Sequence, residues 1–202
     1  MLDREIAAVG RGQRRKESCS VVDFVIIPGI RGSDDTHWQT AWERQWGSAA
    51  VRIAPGSWTQ PDLADWVAAI DRAVADIETR TSDVVLIAHS LGCWAASTWL
   101  SESARPAVRG ALLVAPPDPS ADAFPTADAS TFVGAPRQAM PCPSVVVAST
   151  NDPYCRLDVA QSLASAWGSD LRVVGALGHI NSASDLGDWL QGREVLESLL
   201  FA

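Results

Sequence analysis

The sequence predicts a doubly wound parallel α/β sheet, and three observations predict it. Short, nearly continuous apolar runs recur along the chain, of the kind buried on both faces of a parallel sheet. Between them lie stretches whose apolar residues repeat with the 3.6-residue period of a helix. The alternation persists to the end of the chain, and right-handed crossovers then leave one sheet covered by helices on both faces.

Val21 to Ile27 is the first apolar run, and it stops at Pro28-Gly29. After a loop from Ile30 to Asp35 comes a helix in which Trp38, Trp42 and Trp46 fall at every fourth position, along one stripe. Core packing accounts for Trp42 and Trp46, whereas Trp38, nearest the loop, is also a candidate pocket wall. Val51 to Ala54 forms a short second strand. Thr59 is expected to cap the next helix, with Pro61 at a first-turn position where its missing N–H does no harm. Leu63, Trp66, Val67, Ile70, Val74 and Ile77 keep the helical period there. Val84 to Ala88 is the third strand, followed by a helix running to about Ser103 with Leu91, Trp94, Ala95 and Trp99 as its buried stripe.

Ala111 to Ala115 is the fourth strand, closed by Pro116 and Pro117. From Asp118 to Pro143 the chain is rich in Pro, Ala, Ser and Asp and lacks periodicity, which reads as a long loop holding one short helix, too short for a lid domain. Ser144 to Ser149 is the fifth strand, Leu157 to Trp167 a helix, and Leu171 to Val174 the sixth strand. The final helix lies within Leu186 to Leu200.

Size and charge bound the function. A chain of 202 residues, 47% hydrophobic, can bury one sizeable core, so a polar lead-in over residues 1–20 and a single domain over 21–202 are expected. Arg11, Arg14, Arg15 and Lys16 cluster in that lead-in, as a solvated segment would. A formal net charge of −8 argues against nucleic acid or an anionic membrane as partner. No apolar run approaches the ~20 residues of a membrane span, and no signal-peptide core is evident, so the expectation is a cytoplasmic protein. Cys19, Cys93, Cys142 and Cys155 show neither metal-ligand spacing nor a disulfide framework and read as reduced structural thiols. No metal or cofactor is expected.

In such sheets the site forms at the carboxyl ends of the strands. At the third strand end stands Ala88-His89-Ser90-Leu91-Gly92, a serine between small residues on a strand-to-helix turn. That turn lifts the hydroxyl above the sheet while Ala88 and Gly92 let strand and helix approach. An ordinary helix cap is the plainer reading of the same residues, so the rest of the chain must supply a base and an acid. Asp152 follows the fifth strand and His179, in Leu177-Gly178-His179, the sixth. The order Ser90, Asp152, His179 is that of an α/β-hydrolase triad. Histidine titrates near neutrality and can take the serine proton during attack, and the aspartate would fix its tautomer. Of the three histidines, His89 adjoins Ser90 and reads as a packing or orienting residue, while His37 reads as a polar helix start at the pocket mouth. Asp118, after the fourth strand, is the alternative acid. Oxyanion donors are expected from the backbone N–H of Leu91 and of Ile30, or of Arg31. Gly29, Arg31, His37 and Trp38 are the candidate pocket residues.

Pro28-Gly29, His37-Trp38, Trp42, Ala88 to Cys93, Asn151-Asp152-Pro153-Tyr154, Gly178-His179-Ile180-Asn181 and Leu186-Gly187-Asp188-Trp189 together resemble a known family. It is that of the small serine hydrolases grouped with retinoblastoma-binding protein 9 and its bacterial YdeN-like relatives. The resemblance spans about residues 21 to 200. It implies a compact α/β-hydrolase with six parallel strands and no large lid, and it carries over Ser90, Asp152 and His179 as the triad. The L-x-C-x-E motif of the family's namesake is not matched, since Leu91-Gly92-Cys93-Trp94-Ala95 ends in alanine. The leading expectation is an esterase-like hydrolase of a small-molecule ester or amide, with no protein partner named by the sequence. The alternatives are a non-catalytic binding or regulatory module and an aminopeptidase using the same triad.

Overall fold

A computed structural model of the chain describes residues 22–78, 83–102 and 108–201. The expected lead-in with its basic cluster, Cys19, and the terminal residues Val21 and Ser103 of two expected elements lie outside the described residues. The elements in chain order are β1 (Val22–Ile27), α1 (Trp38–Trp46), β2 (Ala50–Arg52), α2 (Leu63–Glu78), β3 (Asp83–His89) and α3 (Leu91–Glu102). They continue with β4 (Val108–Val114), β5 (Ser144–Ala148), α4 (Leu157–Trp167), β6 (Asp170–Val173) and α5 (Leu190–Leu200). The six strands form one sheet in the order β2-β1-β3-β4-β5-β6, and every pairing is parallel.

Alternation along the strands divides the core in two. Val25, Ile27, Val84, Leu86 and Ala88 face a layer formed by α2, α3 and α4, with Trp66, Trp94, Trp99 and Trp167 buried in it. Phe24, Ile26, Val85 and Ile87 face the opposite layer, where Trp38, Trp42 and Trp189 join α1 to α5. A strand buried on both faces has no polar side to show, which is why these runs are nearly all apolar. Each fully buried large apolar side chain contributes about 1.5–3 kcal/mol, so the central strands anchor the molecule.

The boundaries correct the sequence reading in places. Thr59 does not cap α2; Asp62 does, its carboxylate accepting the N–H of Asp65 at 2.9 Å. A carboxylate next to the helix start serves better than a threonine several residues ahead of it. The segment from Asp118 to Pro143 contains one short 3-10 turn, Ser130–Phe132, and no lid domain. Its residues Phe124, Ala129 and Phe132 enter the core on the α2 and α3 side, and Thr131 Oγ1 accepts the N–H of Leu63 at 2.9 Å. Among the described residues no helix is long and apolar enough to cross a membrane.

Candidate active site

β3 delivers Ser90 in the left-handed region, with φ +54. A non-glycine residue there costs on the order of 1 kcal/mol or more, and the surroundings must enforce it. Ser90 N–H donates to Val114 O of the neighbouring strand at 2.9 Å, and Cys93 N–H donates to Ser90 O at 3.0 Å. Gly92 completes the turn, because a Cβ there would lie 2.3 Å from Ile27 O. The first turn of α3 therefore rests directly on the end of β1. Gly29 faces the serine itself, where a Cβ would come within 2.7 Å of Ser90 Cβ.

The two later loops bring their groups to this point. His179 Nε2 lies 2.9 Å from Ser90 Oγ, and His179 Nδ1 lies 2.9 Å and 3.0 Å from the carboxylate oxygens of Asp152. A carboxylate only accepts, so the proton of the neutral ring sits on Nδ1, and Nε2 is left to accept from the serine. Asp152 is 3% exposed at its side chain, and Asp152 Oδ1 also accepts the N–H of Tyr154 at 2.9 Å. Asp118 has no part in this chain of bonds; its carboxylate accepts the N–H of Ser120 at 2.9 Å.

A cavity of about 450 Å³ opens over Ser90. Gly29, Ile30, Arg31, His37, Leu91 and His179 all line it, which brings most of the candidate residues to one place. Trp38 is the correction. It is buried behind the cavity, and its indole N–H donates to Ile180 O at 2.8 Å, so it braces the loop that carries His179 and walls nothing. The backbone N–H of Arg31, the alternative oxyanion donor, is instead engaged with Trp58 O at 2.7 Å. Among the described residues the N–H groups of Ile30 and Leu91 have no backbone acceptor, and both residues face the cavity.

The other two histidines hold structural bonds. His37 caps α1, its Nδ1 accepting the N–H of Gln39 at 3.1 Å. His89 Nε2 donates to the carbonyl oxygen of His179 at 3.0 Å. Burial pushes the His37 ring down to about 4 and drives His89 well below its ordinary range, so both are neutral near pH 7. Burial raises the thiols instead, Cys142 to about 11 and Cys155 to about 12, with Cys93 also pushed well above its ordinary range. None of these three sulfurs offers a thiolate to compete with Ser90 at neutral pH. Among the described residues no group of three or more His, Cys, Asp and Glu side chains is disposed to hold a metal ion.

Sequence reasoning passed over three polar residues that hold the loops. Asn151 Oδ1 accepts Gly178 N–H at 2.7 Å, and Ser149 Oγ accepts Leu177 N–H at 2.9 Å, which ties the loop after β5 to the loop after β6. Their position beside Asp152 at a strand end was the available signal. Gln39 is fully buried under the cavity, and nothing in a single sequence distinguishes it from a surface glutamine of α1.

The family model described as serine hydrolase matches residues 24–198. Among solved structures, a YdeN-like hydrolase from Pectobacterium atrosepticum is 34% identical over 89% of this chain and 90% of its own, with a TM-score of 0.76. The ydeN gene product of B. subtilis is 22% identical, with 90% and 99% covered and a TM-score of 0.68. Est1E from Butyrivibrio proteoclasticus, solved with ferulic acid bound, is 13% identical over 92% and 91% and shares the fold at a TM-score of 0.64. No curated protein sequence matches significantly. With the α/β-hydrolase sheet, the family match over most of its length and a YdeN-like structure at 34% identity, the chain belongs to the serine hydrolase family.

Proposed function

We propose that the protein is an esterase that cleaves small esters through an acyl-enzyme on Ser90. The observation that carries this reading is the unbroken line of hydrogen bonds from Ser90 Oγ through His179 to Asp152 at the floor of a cavity. As Oγ attacks the ester carbonyl, its proton passes to His179 Nε2, and Asp152 stabilises the imidazolium that results. The carbonyl oxygen becomes an oxyanion that the N–H groups of Leu91 and Ile30 receive, a contribution of about 3–4 kcal/mol per donor in related chemistry. Collapse expels the alcohol, which takes the proton from Nε2. Water then repeats the cycle in reverse, releasing the acid and restoring Ser90.

A cavity of about 450 Å³ suits a small substrate. Turnover of p-nitrophenyl acetate by the wild type and by Ser90→Ala tests the reading. The expected loss is on the order of 10⁴-fold or more. Equal turnover by the two proteins would refute it, and faster cleavage of an aminoacyl p-nitroanilide than of the matched ester would favour a peptidase.

A further inference from the structure

We propose that Gln39 is a positioning residue that sets the distance between the nucleophile and the oxyanion donors. This inference rests on the esterase reading. Gln39 stands in the first turn of α1 and is fully buried. Its side-chain Nε2 donates to Ile87 O at 2.9 Å and to Ile27 O at 3.3 Å, while its Oε1 accepts from Ser33 Oγ at 2.7 Å. One planar amide therefore uses both N–H groups and its oxygen at once, a combination that a carboxamide supplies and an apolar or charged side chain does not.

The three partners are the points that matter for an oxyanion site. Ile87 lies three residues before Ser90 on β3, and Ile27 three residues before Ile30 at the end of β1. Ser33 lies in the loop between β1 and α1, three residues beyond Ile30. Other bonds also shape that loop: Gly32 N–H to Gly29 O at 3.0 Å, Arg31 N–H to Trp58 O at 2.7 Å, and the Thr40 hydroxyl and Arg52 guanidinium to Ser33 O at 3.1 and 2.8 Å. None of these reaches β3. The Gln39 amide links the base of the oxyanion loop, its return and the strand of the nucleophile to one rigid group. A donor displaced by ~1 Å from a developing oxyanion loses much of its effect, and misplacement of that size costs about 100-fold.

Gln39→Met keeps the length of the side chain and removes all three hydrogen bonds. The expected result is a kcat lower by roughly 10- to 100-fold with KM little changed. Affinity for an arylboronic acid, which forms a tetrahedral adduct on Ser90, should fall in step with kcat/KM, while inhibition by acetate, a planar product, should stay as it was. A residue that only supports folding would lower the melting temperature and leave kcat and boronate affinity of the folded protein intact, and that result overturns the proposal. If Gln39→Met does not fold, Ser33→Ala, which breaks one of the three bonds, is read in the same way: a smaller fall in kcat and boronate affinity supports the role, and wild-type values for both overturn it. Failure of the esterase reading is separately visible, as wild-type protein without Ser90-dependent turnover, and it takes the positioning role with it.

Discussion

On one side of the cavity His179 stands on a loop held by directed hydrogen bonds; on the other, residues 117–128 stand on apolar side chains. The His179 loop has four of its backbone groups held by side-chain polar atoms, three of them on the buried residues Ser149, His89 and Trp38. Leu177 N–H and Gly178 N–H donate to Ser149 and Asn151, while His179 O and Ile180 O accept from His89 and Trp38. Behind it, Trp38, Trp42 and Trp189 pack with ring centroids 4.7–5.9 Å apart, and the Arg193 guanidinium lies over Trp42 at 4.6 Å. The opposite wall is tied at its start by Trp94 Nε1–H to Pro117 O and Asp118 N–H to Tyr154 O, both at 2.9 Å, and then runs as a chain of local turns, Phe124 N–H to Ala121 O and Phe132 N–H to Ala129 O among them, anchored by Phe124, Ala129 and Phe132 in the core. Hydrogen bonds fix direction, whereas apolar burial rewards area and is indifferent to angle. The wall that must aim a proton acceptor is held at its tip by direction, and the wall that must only shape a cavity is held beyond Asp118 chiefly by area.

Substitutions can break or sharpen that contrast, and the largest effect lies on the directed side. His179→Ala should lower kcat by on the order of 10⁴-fold, and Asp152→Asn by about as much, because the ring then loses its tautomer. Asp118→Asn and His37→Ala should retain most activity. Comparable losses in all four, measured by p-nitrophenyl acetate turnover, would mean that the two walls do not divide the work in this way.

Next in size, Phe132→Ala on the apolar side should destabilise the fold by about 3–5 kcal/mol in urea unfolding. At a temperature where it remains folded, its kcat should stay near the wild type while KM shifts with the cavity shape. A kcat loss as large as that of His179→Ala would contradict the contrast.

His37 gives a third test, by pH. Its ring titrates at about 4 when buried in the fold and near 6.5 when unfolded, so between these values the unfolded state binds the extra proton. The stabilisation is present above pH 6.5 and is lost as pH falls toward 4, a difference of about 3 kcal/mol. His37→Asn keeps a side-chain cap for α1 and removes the titration, so its stability should fall less steeply over that window than the wild type's. Parallel curves would remove the role of burial at this ring.

The smallest effect is expected at the brace. Trp38→Phe keeps an aromatic ring and leaves Ile180 O without its donor, for about 1–3 kcal/mol of stability. Because the lost bond holds the residue next to His179, kcat should fall as well, which Phe132→Ala should not cause. Stability loss without any change in kcat would make the indole bond a packing feature alone.

The sheet was legible because its signal is local: a strand buried on both faces reads as an apolar run wherever it lies. That Ser90, Asp152 and His179 meet was legible because each follows a strand and the sheet gathers strand ends at one edge. Trp38 was not, since its spacing is the same as that of Trp42 and periodicity cannot tell a cavity wall from the core behind it. That Trp58 O takes the Arg31 N–H was not legible either, because the bond crosses a turn that no propensity specifies. Gln39 lay furthest out of reach. Two of its partners, Ile27 and Ile87, are 12 and 48 residues away in sequence, and only the assembled sheet brings their carbonyls to one amide.

The most direct test of the account is where a fluorophosphonate attaches. Mass spectrometry of the digested wild-type protein should place one adduct on Ser90, with no labelling of Ser90→Ala and little of His179→Ala. An adduct on another residue, or equal labelling of wild type and Ser90→Ala, would contradict the assignment of Ser90 as the nucleophile.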